Sequence, residues 1–204
     1  MSRKQLEIEL DKTKDFRSPD WNAEQYSTPV DIAANLLWHL DLGDYIKDKK
    51  VLDLGSGPGR LGLGAALLGA KDVTLVDFDG AALHTAAENA ETLGIPTDRY
   101  ETVLNSAEAF EPRHTYDTTI MNRPFGTQKR GADTGFLAKA TSCSDIVLSL
   151  HKAATQNYVM RWIVDHDGVL LDQHRIQFPL QNTMHHHDRD TEYVEVVAIM
   201  YTTR

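Results

Sequence analysis

The stretch that decides the fold is Val51-Leu52-Asp53-Leu54-Gly55-Ser56-Gly57-Pro58-Gly59, and an apolar segment of helical spacing, Leu61–Leu68, follows it directly. The first four residues form a short apolar strand pattern, and the glycines permit a tight turn before the helix. Such a turn lets a ligand lie close to the main chain at a helix N-terminus. The order of strand, glycines and helix therefore predicts a ligand-binding loop in an α/β sheet, with a purely structural turn as the alternative.

The next predicted strand, Val73–Val76, ends at Asp77, which lies 24 residues after Asp53. In nucleotide-binding sheets an acidic side chain at this place accepts hydrogen bonds from ribose hydroxyls. The third glycine of the dinucleotide fingerprint would fall on Arg60, and Pro58 lacks the backbone N–H that would help to clasp a pyrophosphate. Both departures favour a nucleoside without phosphates.

Strands and helices alternate along the rest of the chain, which predicts an α/β fold with a mainly parallel, doubly wound, seven-stranded sheet and helices on both faces. Gly168–Phe178 and Glu192–Tyr201 are the two longest strand candidates, and we expect them to form an antiparallel pair at one edge. The other predicted elements are helices at Gly80–Leu93, Phe136–Ala140 and Gln156–Val164 and strands at Tyr100–Leu104, Tyr116–Met121 and Ile146–Leu150.

We predict a single domain over residues 1–204, with an N-terminal arm and first helix in 1–45 and the core in 46–204. Ile8 and Leu10 are the expected apolar anchors of the arm. Thr28 is the predicted N-cap of the first helix, with Pro29 at its first position and Asp31 completing an acidic capping box. That helix should end near Gly43, because glycine favours helix termini.

Composition and charge limit the class of protein. The chain has 204 residues, no apolar run close to the roughly 20 residues of a membrane span, and a charged N-terminus unlike a signal peptide. One cysteine fits a reducing compartment, so we expect a soluble cytoplasmic protein. A net charge of −9 counts against a generic DNA-binding module, because affinity for nucleic acid rests on Lys and Arg that neutralise phosphates.

Asn122-Arg123-Pro124-Phe125 follows the predicted strand Tyr116–Met121. The turn would place an amide, the free carbonyl of residue 123 and an aromatic ring at the ligand edge of the sheet. Two acceptors on the hydrogens of an exocyclic amine would aim the nitrogen at an electrophile, and fixed dipoles stabilise the positive charge that develops there. The ring of Phe125 would stack on an extruded base. This chemistry requires neither a metal nor a strong general base.

With these features placed, the chain resembles the class I S-adenosylmethionine-dependent methyltransferases that methylate the N6 amine of adenine. It is most similar to the branch of archaea and eukaryotes that acts on small-subunit ribosomal RNA. The segments that carry the resemblance are Glu24-Gln25-Tyr26-x-Thr28, Asp53-x-Gly55-x-Gly57-x-Gly59, Val76-Asp77-Phe78-Asp79, Asn122-x-Pro124-Phe125-Gly126-Thr127 and Ser149-Leu150-His151-Lys152. The resemblance covers nearly the whole chain.

The resemblance implies a Rossmann-like fold, S-adenosyl-L-methionine as cofactor, an RNA substrate, and a small zinc-binding activator protein as the partner of relatives. The implied catalytic residues are Asn122, Arg123, Pro124 and Phe125. The implied cofactor-binding residues are Gln25, Tyr26, Thr28, Asp53, Gly55, Gly57, Pro58, Gly59, Asp77, Phe78, Asn105, Ser106 and Asn122. The family motif is Asn-Pro-Pro-Phe, so Arg123 is a departure that keeps the carbonyl but loses the fixed φ of proline.

Several polar residues have two readings. Asn105 either faces the adenine of the cofactor or forms a turn. His151 and Lys152 either contact the substrate or have a purely structural role. A basic patch for RNA would comprise Lys129, Arg130, Lys139, Lys152 and Arg175, each of which is otherwise a solvated surface residue. His185-His186-His187 is read as a polar loop and not as a metal site, since no acidic or cysteine ligands lie at a suitable spacing.

Three other functions stay open at this point. One is methylation of another planar acceptor, such as protein glutamine or DNA adenine. Another is a nicotinamide-dependent oxidoreductase, which the glycine spacing and the lack of an obvious Tyr-x-x-x-Lys dyad disfavour. The last is a non-catalytic cofactor-binding protein, a reading that rests on Arg123.

Overall fold

The computed structural model describes residues 1–17, 25–122, 132–180 and 192–203. The helices are α1 (Arg3–Leu10), α2 (Val30–Leu42), α3 (Arg60–Leu67), α4 (Gly80–Thr92), α5 (Ala132–Cys143) and α6 (Gln156–Asp165), with a 3-10 turn at Ala153–Thr155. The strands are β1 (Lys50–Leu54), β2 (Asp72–Asp77), β3 (Tyr100–Leu104), β4 (Tyr116–Asn122), β5 (Ser144–Lys152), β6 (Val169–Leu180) and β7 (Glu192–Thr202).

The strands form one seven-stranded sheet in the order β3-β2-β1-β4-β5-β7-β6. β1 to β5 are parallel, whereas β7 pairs antiparallel with both β5 and β6. The predicted α/β class, mainly parallel sheet and antiparallel pair are confirmed. The strand order reverses between β1 and β4, and ligands in open α/β sheets bind beyond the carboxyl ends of the strands at such a reversal. That edge carries the carboxyl ends of β1, β2 and β4.

Apolar side chains pack on both faces of the sheet. One buried cluster joins α1, α2, α3 and α4 to one face, and the other joins α5 and α6 to the opposite face. α1 contributes Leu6 and Leu10, both without exposed surface, while Ile8 is 53% exposed. Ile8 was therefore wrongly predicted as an anchor. Residues 6 and 10 are four apart and share one face of the helix, whereas position 8 points away from it.

The start of α2 also differs from the prediction. Pro29 occupies the N-cap position, and no side chain forms a cap hydrogen bond there. The Thr28 hydroxyl instead accepts a hydrogen bond from the Asn122 side chain of β4, at 2.8 Å. Thr28 therefore bonds a residue that is distant in the chain, whereas the sequence pattern predicted that it would cap the helix beside it. The predicted end of the helix is confirmed, because Gly43 is its C-cap.

No helix in the described ranges is both long and apolar enough to cross a membrane. The division at residue 45 stays a prediction, although α1 and α2 pack directly against the core through the first cluster.

Candidate active site

A cleft opens where the strand order reverses, at the carboxyl ends of β1, β2 and β4. Including space open to solvent, it encloses about 730 Å³. Most of the residues that we expected to bind a cofactor line it: Gln25, Tyr26, Thr28, Asp53, Gly55, Gly57, Pro58, Asp77, Phe78 and Asn122.

The glycine loop forms the floor of the cleft. The N–H groups of Gly55 and Ser56 both donate to the Val76 carbonyl, at 2.8 and 2.9 Å, which fastens the loop to the end of β2. Gly55 and Gly57 have φ values of +80° and +51°, a region that residues with a side chain rarely adopt. A Cβ on Gly57 would also lie 2.6 Å from the Phe16 ring. Both the backbone conformation and the close approach therefore require glycine at position 57.

Asp77, at the end of β2, holds the loop from the other side. One carboxylate oxygen accepts from the Gly57 N–H at 2.7 Å, and the other accepts from the Asp79 N–H at 2.9 Å. The side chain is buried, and this burial raises the pKa of the carboxyl group despite the two N–H donors. Each carboxylate oxygen has a second lone pair, so Asp77 can also accept from the hydroxyls of a ligand.

Asp53, in β1, is the most deeply buried acid of the cleft, with 1% exposure. Its Oδ2 accepts from the Gly62 N–H at 2.7 Å. Burial raises the pKa of Asp53 to about 7; the Gly62 N–H opposes this shift, and the nearby Asp77 carboxylate adds to it. The charge state of the cleft therefore changes near neutral pH.

Asn122, the last residue of β4, lines the cleft. Its Nδ2 donates to the Thr28 hydroxyl, whereas its Oδ1 is buried and has no hydrogen-bond partner among the described residues. The hydroxyls of Ser27 and Ser56, which also line the cleft, are equally unpaired within the described part of the chain. Because unpaired buried polar groups are rare and costly, three of them in one cleft fit the binding of a polar ligand there.

The glycine loop, the acid after β2 and the asparagine after β4 thus meet at one sheet edge, and residues 26–144 match the methyltransferase small domain family. The chain belongs to this family. It is 32% identical over 206 residues to the rRNA N(6)-adenosine-methyltransferase METTL5 of Danio rerio, and the alignment covers 99% of each chain. The rRNA N(6)-adenosine-methyltransferase metl-5 of Caenorhabditis elegans is 32% identical over 168 residues, 78% of each chain.

Structural comparison agrees with the sequence. The crystal structure of a candidate RNA methyltransferase from Pyrococcus horikoshii has a TM-score of 0.87 and 33% identity, over 99% of this chain and 98% of that chain. The methyltransferase family and its Rossmann-like fold, which the resemblance implied, are confirmed.

Two residues of this methyltransferase that the sequence reasoning did not assign to the site also line the cleft. Phe16 and Arg60 come from the segment after α1 and from the start of α3. We refer to residues 11–17 as the strap. The Arg60 side chain is 7% exposed; its Nε donates to the Thr13 hydroxyl at 2.9 Å, and its Nη2 pairs with Asp15 at 2.8 Å. Arg60 Nη1 donates to the Thr28 carbonyl at 2.8 Å.

The middle of the strap, at Lys14, is fixed to α4 by Asn89, which has no exposed surface. Its Oδ1 accepts from the Lys14 N–H at 2.8 Å, and its Nδ2 donates to the carbonyls of Lys14 and Pro58 at 3.0 and 2.9 Å. The only sequence signal for this arrangement was Arg60 in the place of a glycine, since the strap itself follows no motif.

Three of the expected cofactor residues do not line the cleft. Gly59 is the N-cap of α3 in a left-handed conformation. The Asn105 N–H donates to the Asp77 carbonyl at 2.9 Å, which places Asn105 beside the cleft. The Ser106 hydroxyl accepts from the Ala109 N–H at 3.2 Å and stabilises the turn after β3. The structure thus gives these residues local backbone roles.

The residues that we expected to contact the substrate lie in different environments. The His151 side chain has no exposed surface, and its Nε2 hydrogen-bonds the Ser149 hydroxyl at 2.8 Å. This burial contradicts direct contact between the imidazole and a substrate in this conformation. Lys152 is half-buried at the end of β5. Of the other basic residues, Lys139 pairs with Glu111 at 3.4 Å and Arg175 with Glu195 at 3.2 Å, so neither is an uncompensated charge.

Some predictions lie outside the described residues: Arg123, Pro124, Phe125, Gly126, Thr127, Lys129, Arg130 and His185-His186-His187. Within the described ranges, no group of three His, Cys, Asp or Glu side chains is placed to hold a metal ion.

Proposed function

We propose that this methyltransferase uses S-adenosyl-L-methionine to methylate the N6 amine of an adenine in RNA, with small-subunit ribosomal RNA as the substrate. The observation that carries the proposal is the buried, unpaired Asn122 Oδ1 at the end of β4. An exocyclic amine is a donor of the right kind for this acceptor. The names of the relatives from Danio rerio and Caenorhabditis elegans, both rRNA N(6)-adenosine-methyltransferases, support the same substrate.

The described residues fit the cofactor. Gly55 and Gly57 form a cradle that side chains would fill, and the unpaired hydroxyl of Ser56 offers a polar contact in that cradle. Asp77 would hold ribose hydroxyls, and Phe78, which is 61% exposed at the mouth of the cleft, would cover the adenine ring. When bound, S-adenosylmethionine supplies an electrophilic methyl group.

The chain itself orients the acceptor amine. The nitrogen lone pair of an adenine amine is delocalised into the ring, so the amine is a weak nucleophile. By accepting one N–H, Asn122 Oδ1 would favour a pyramidal nitrogen and stabilise the positive charge that develops on it. Asn122 is neutral and takes no proton, so the methylated amine releases its proton to solvent. The carbonyl of Arg123 as second acceptor and the ring of Phe125 as stacking partner remain part of the proposal.

The net negative charge of the chain favours a partner protein in RNA binding. The net charge of −9 opposes binding to a polyanion, and the ion pairs of Lys139 and Arg175 reduce the expected basic patch. A small zinc-binding activator, as the resemblance implies for relatives, would supply part of the RNA-binding surface. We place the reaction in the cytoplasm.

The test combines binding and transfer. Calorimetric titration with S-adenosylmethionine and with NAD should show binding of the first alone. Methyl transfer to small-subunit rRNA should then occur and should fall by about 100-fold or more in Asn122→Ala, the usual cost of removing one preorganised dipole. Asn35→Ala is the matched control, because the Asn35 side chain is exposed on α2 outside the cleft and the variant should keep most of its activity.

The outcomes separate the alternatives. Binding of NAD without S-adenosylmethionine would refute the proposal in favour of an oxidoreductase. Transfer to DNA adenine or to protein glutamine, with none to rRNA, would correct the substrate. Cofactor binding with no transfer to any of these acceptors would favour a non-catalytic protein, the reading that Arg123 raised.

A further inference from the structure

Thr28 holds the side-chain amide of Asn122 through a hydrogen bond. Its hydroxyl accepts from Asn122 Nδ2 at 2.8 Å, and the Thr28 side chain is itself buried, at 5% exposure. We propose that Thr28 is a positioning residue that orients the Asn122 amide so that Oδ1, and not Nδ2, faces the acceptor amine. This inference rests on the proposed function and extends it from Asn122 to the hydroxyl behind it.

The orientation of the amide decides whether the site works. A side-chain amide carries an acceptor on one side and two donors on the other. With Nδ2 on Thr28, Oδ1 is the amide atom left without a partner among the described residues, and as an acceptor it matches an amine. In the opposite orientation the Nδ2 hydrogens would face the hydrogens of the amine, and neither group could bond. A hydroxyl can accept from an amide N–H or donate to an amide oxygen. Here the Thr28 hydroxyl accepts from Nδ2, which satisfies a donor that would otherwise be buried without a partner and restricts rotation of the amide.

Thr28 can do this because its own backbone is fixed. The Thr28 carbonyl accepts from Arg60 Nη1 at 2.8 Å, and the same guanidinium is bonded to Thr13 and Asp15 of the strap. The hydroxyl therefore projects from an anchored main chain, whereas Asn122 is the last residue of β4. A preorganised second residue of this type restricts the rotation of the one that contacts the substrate.

The test variant is Thr28→Val, which keeps the shape of threonine but removes the hydroxyl. Thr28→Ser is the conservative control, because it keeps the hydroxyl. We expect kcat to fall about tenfold in the valine variant, as estimated from the loss of one buried hydrogen bond, and to stay within about threefold in the serine variant. KM for RNA and the Kd for S-adenosylmethionine should change little, because Asn122 acts on the amine.

A double-mutant cycle shows whether Thr28 acts through Asn122. In an Asn122→Ala background, Thr28→Val should have almost no further effect on kcat, since the amide to be oriented is gone. An equal fall of kcat in both backgrounds would overturn the inference, because it would mean that Thr28 acts independently. A tenfold loss in Thr28→Ser would overturn it as well.

A measurement without substrate separates this inference from the proposed function. In an NMR spectrum, the side-chain amide signals of Asn122 can be assigned by their disappearance in Asn122→Ala. Their hydrogens should exchange with water about tenfold faster in Thr28→Val than in wild type or Thr28→Ser, because one hydrogen bond is lost. Unchanged exchange would overturn the role of Thr28 even if the enzyme is active. Absence of transfer in the wild type would refute the proposed function, and the exchange rates would still decide whether Thr28 holds the amide.

Discussion

Replacing Asp53 by asparagine should change how stability depends on pH. Asp53 is ionised at neutral pH in the unfolded chain, whose usual carboxyl pKa is 3.8, but burial raises the pKa to about 7 in the folded protein. The folded state therefore binds one more proton than the unfolded state between these two values. Stability from this group is fully present below pH 3.8 and is lost as the pH rises through about 7. Asp53→Asn removes the titration but keeps an oxygen for the Gly62 N–H.

The magnitude follows from the shift. One pKa unit corresponds to 1.36 kcal/mol, so a shift of about three units amounts to at most about 4 kcal/mol. Most of this change falls between pH 5 and pH 8, where unfolding can be measured. Over this range, the free energy of unfolding of Asp53→Asn, minus that of wild type, should increase by about 2–3 kcal/mol. The difference should level off above pH 8. Taking the difference at each pH cancels the titration of other carboxyl groups that the substitution does not touch.

Urea unfolding, followed by circular dichroism at half-unit steps of pH, measures this difference. Asp98→Asn is the control, since it removes one negative charge from an exposed position. A difference that stays flat from pH 5 to pH 8 would refute the reasoning, because the folded protein would then hold Asp53 as an ordinary carboxylate. A difference that decreases with pH would show that a hydrogen-bonding effect outweighs burial.

Three further predictions concern residues around the cleft. Gly62→Ala should lower the free energy of unfolding by about 1–3 kcal/mol in urea titrations, because the new methyl group would overlap the Leu75 side chain. Arg60→Met should cost about 1–3 kcal/mol and speed trypsin cleavage of the strap, because it removes bonds that hold residues 11–17; Arg99→Met, distant from the strap, should leave cleavage unchanged. Asp77→Asn should weaken S-adenosylmethionine binding about 10–100-fold by calorimetry, because one charged acceptor is lost.

The fold was predictable because its signals are local. Hydrophobic periodicity identified each strand, and β3 begins and ends at the predicted residues, Tyr100 and Leu104. Gly69 and Gly94, which directly follow the predicted helices Leu61–Leu68 and Gly80–Leu93, both have positive φ values, as glycines just beyond helix ends often do. Other boundaries moved outward where pairing extends past the apolar run: β5 reaches Lys152 because it continues to pair with β7 there. Such extensions depend on the neighbouring strand, which a single segment does not reveal.

The site was predictable only in part, because its main contacts join residues that are far apart in the chain. The Asn122–Thr28 hydrogen bond spans 94 positions. From local pattern alone, a threonine before proline is a helix cap, and only the hydrogen bond to Asn122 at the end of β4 shows otherwise. His151 was ambiguous for the same reason: a histidine after a strand at the ligand edge points either into the cleft or into the core, and the structure buries it completely.

Arg60 and Gly62 together explain why the glycine loop departs from the dinucleotide fingerprint. In that fingerprint the third glycine allows the helix to pack closely on the strand. Here the close approach occurs two residues later, where a Cβ on Gly62 would lie 3.0 Å from Asp53 Oδ2 and overlap Leu75. Position 60 is thereby released from the packing constraint and carries a long side chain. Its guanidinium binds the strap on one side and the Thr28 carbonyl on the other. Arg60, which disfavoured a dinucleotide in the sequence, thus links the glycine loop to Thr28, the residue behind the proposed catalytic amide.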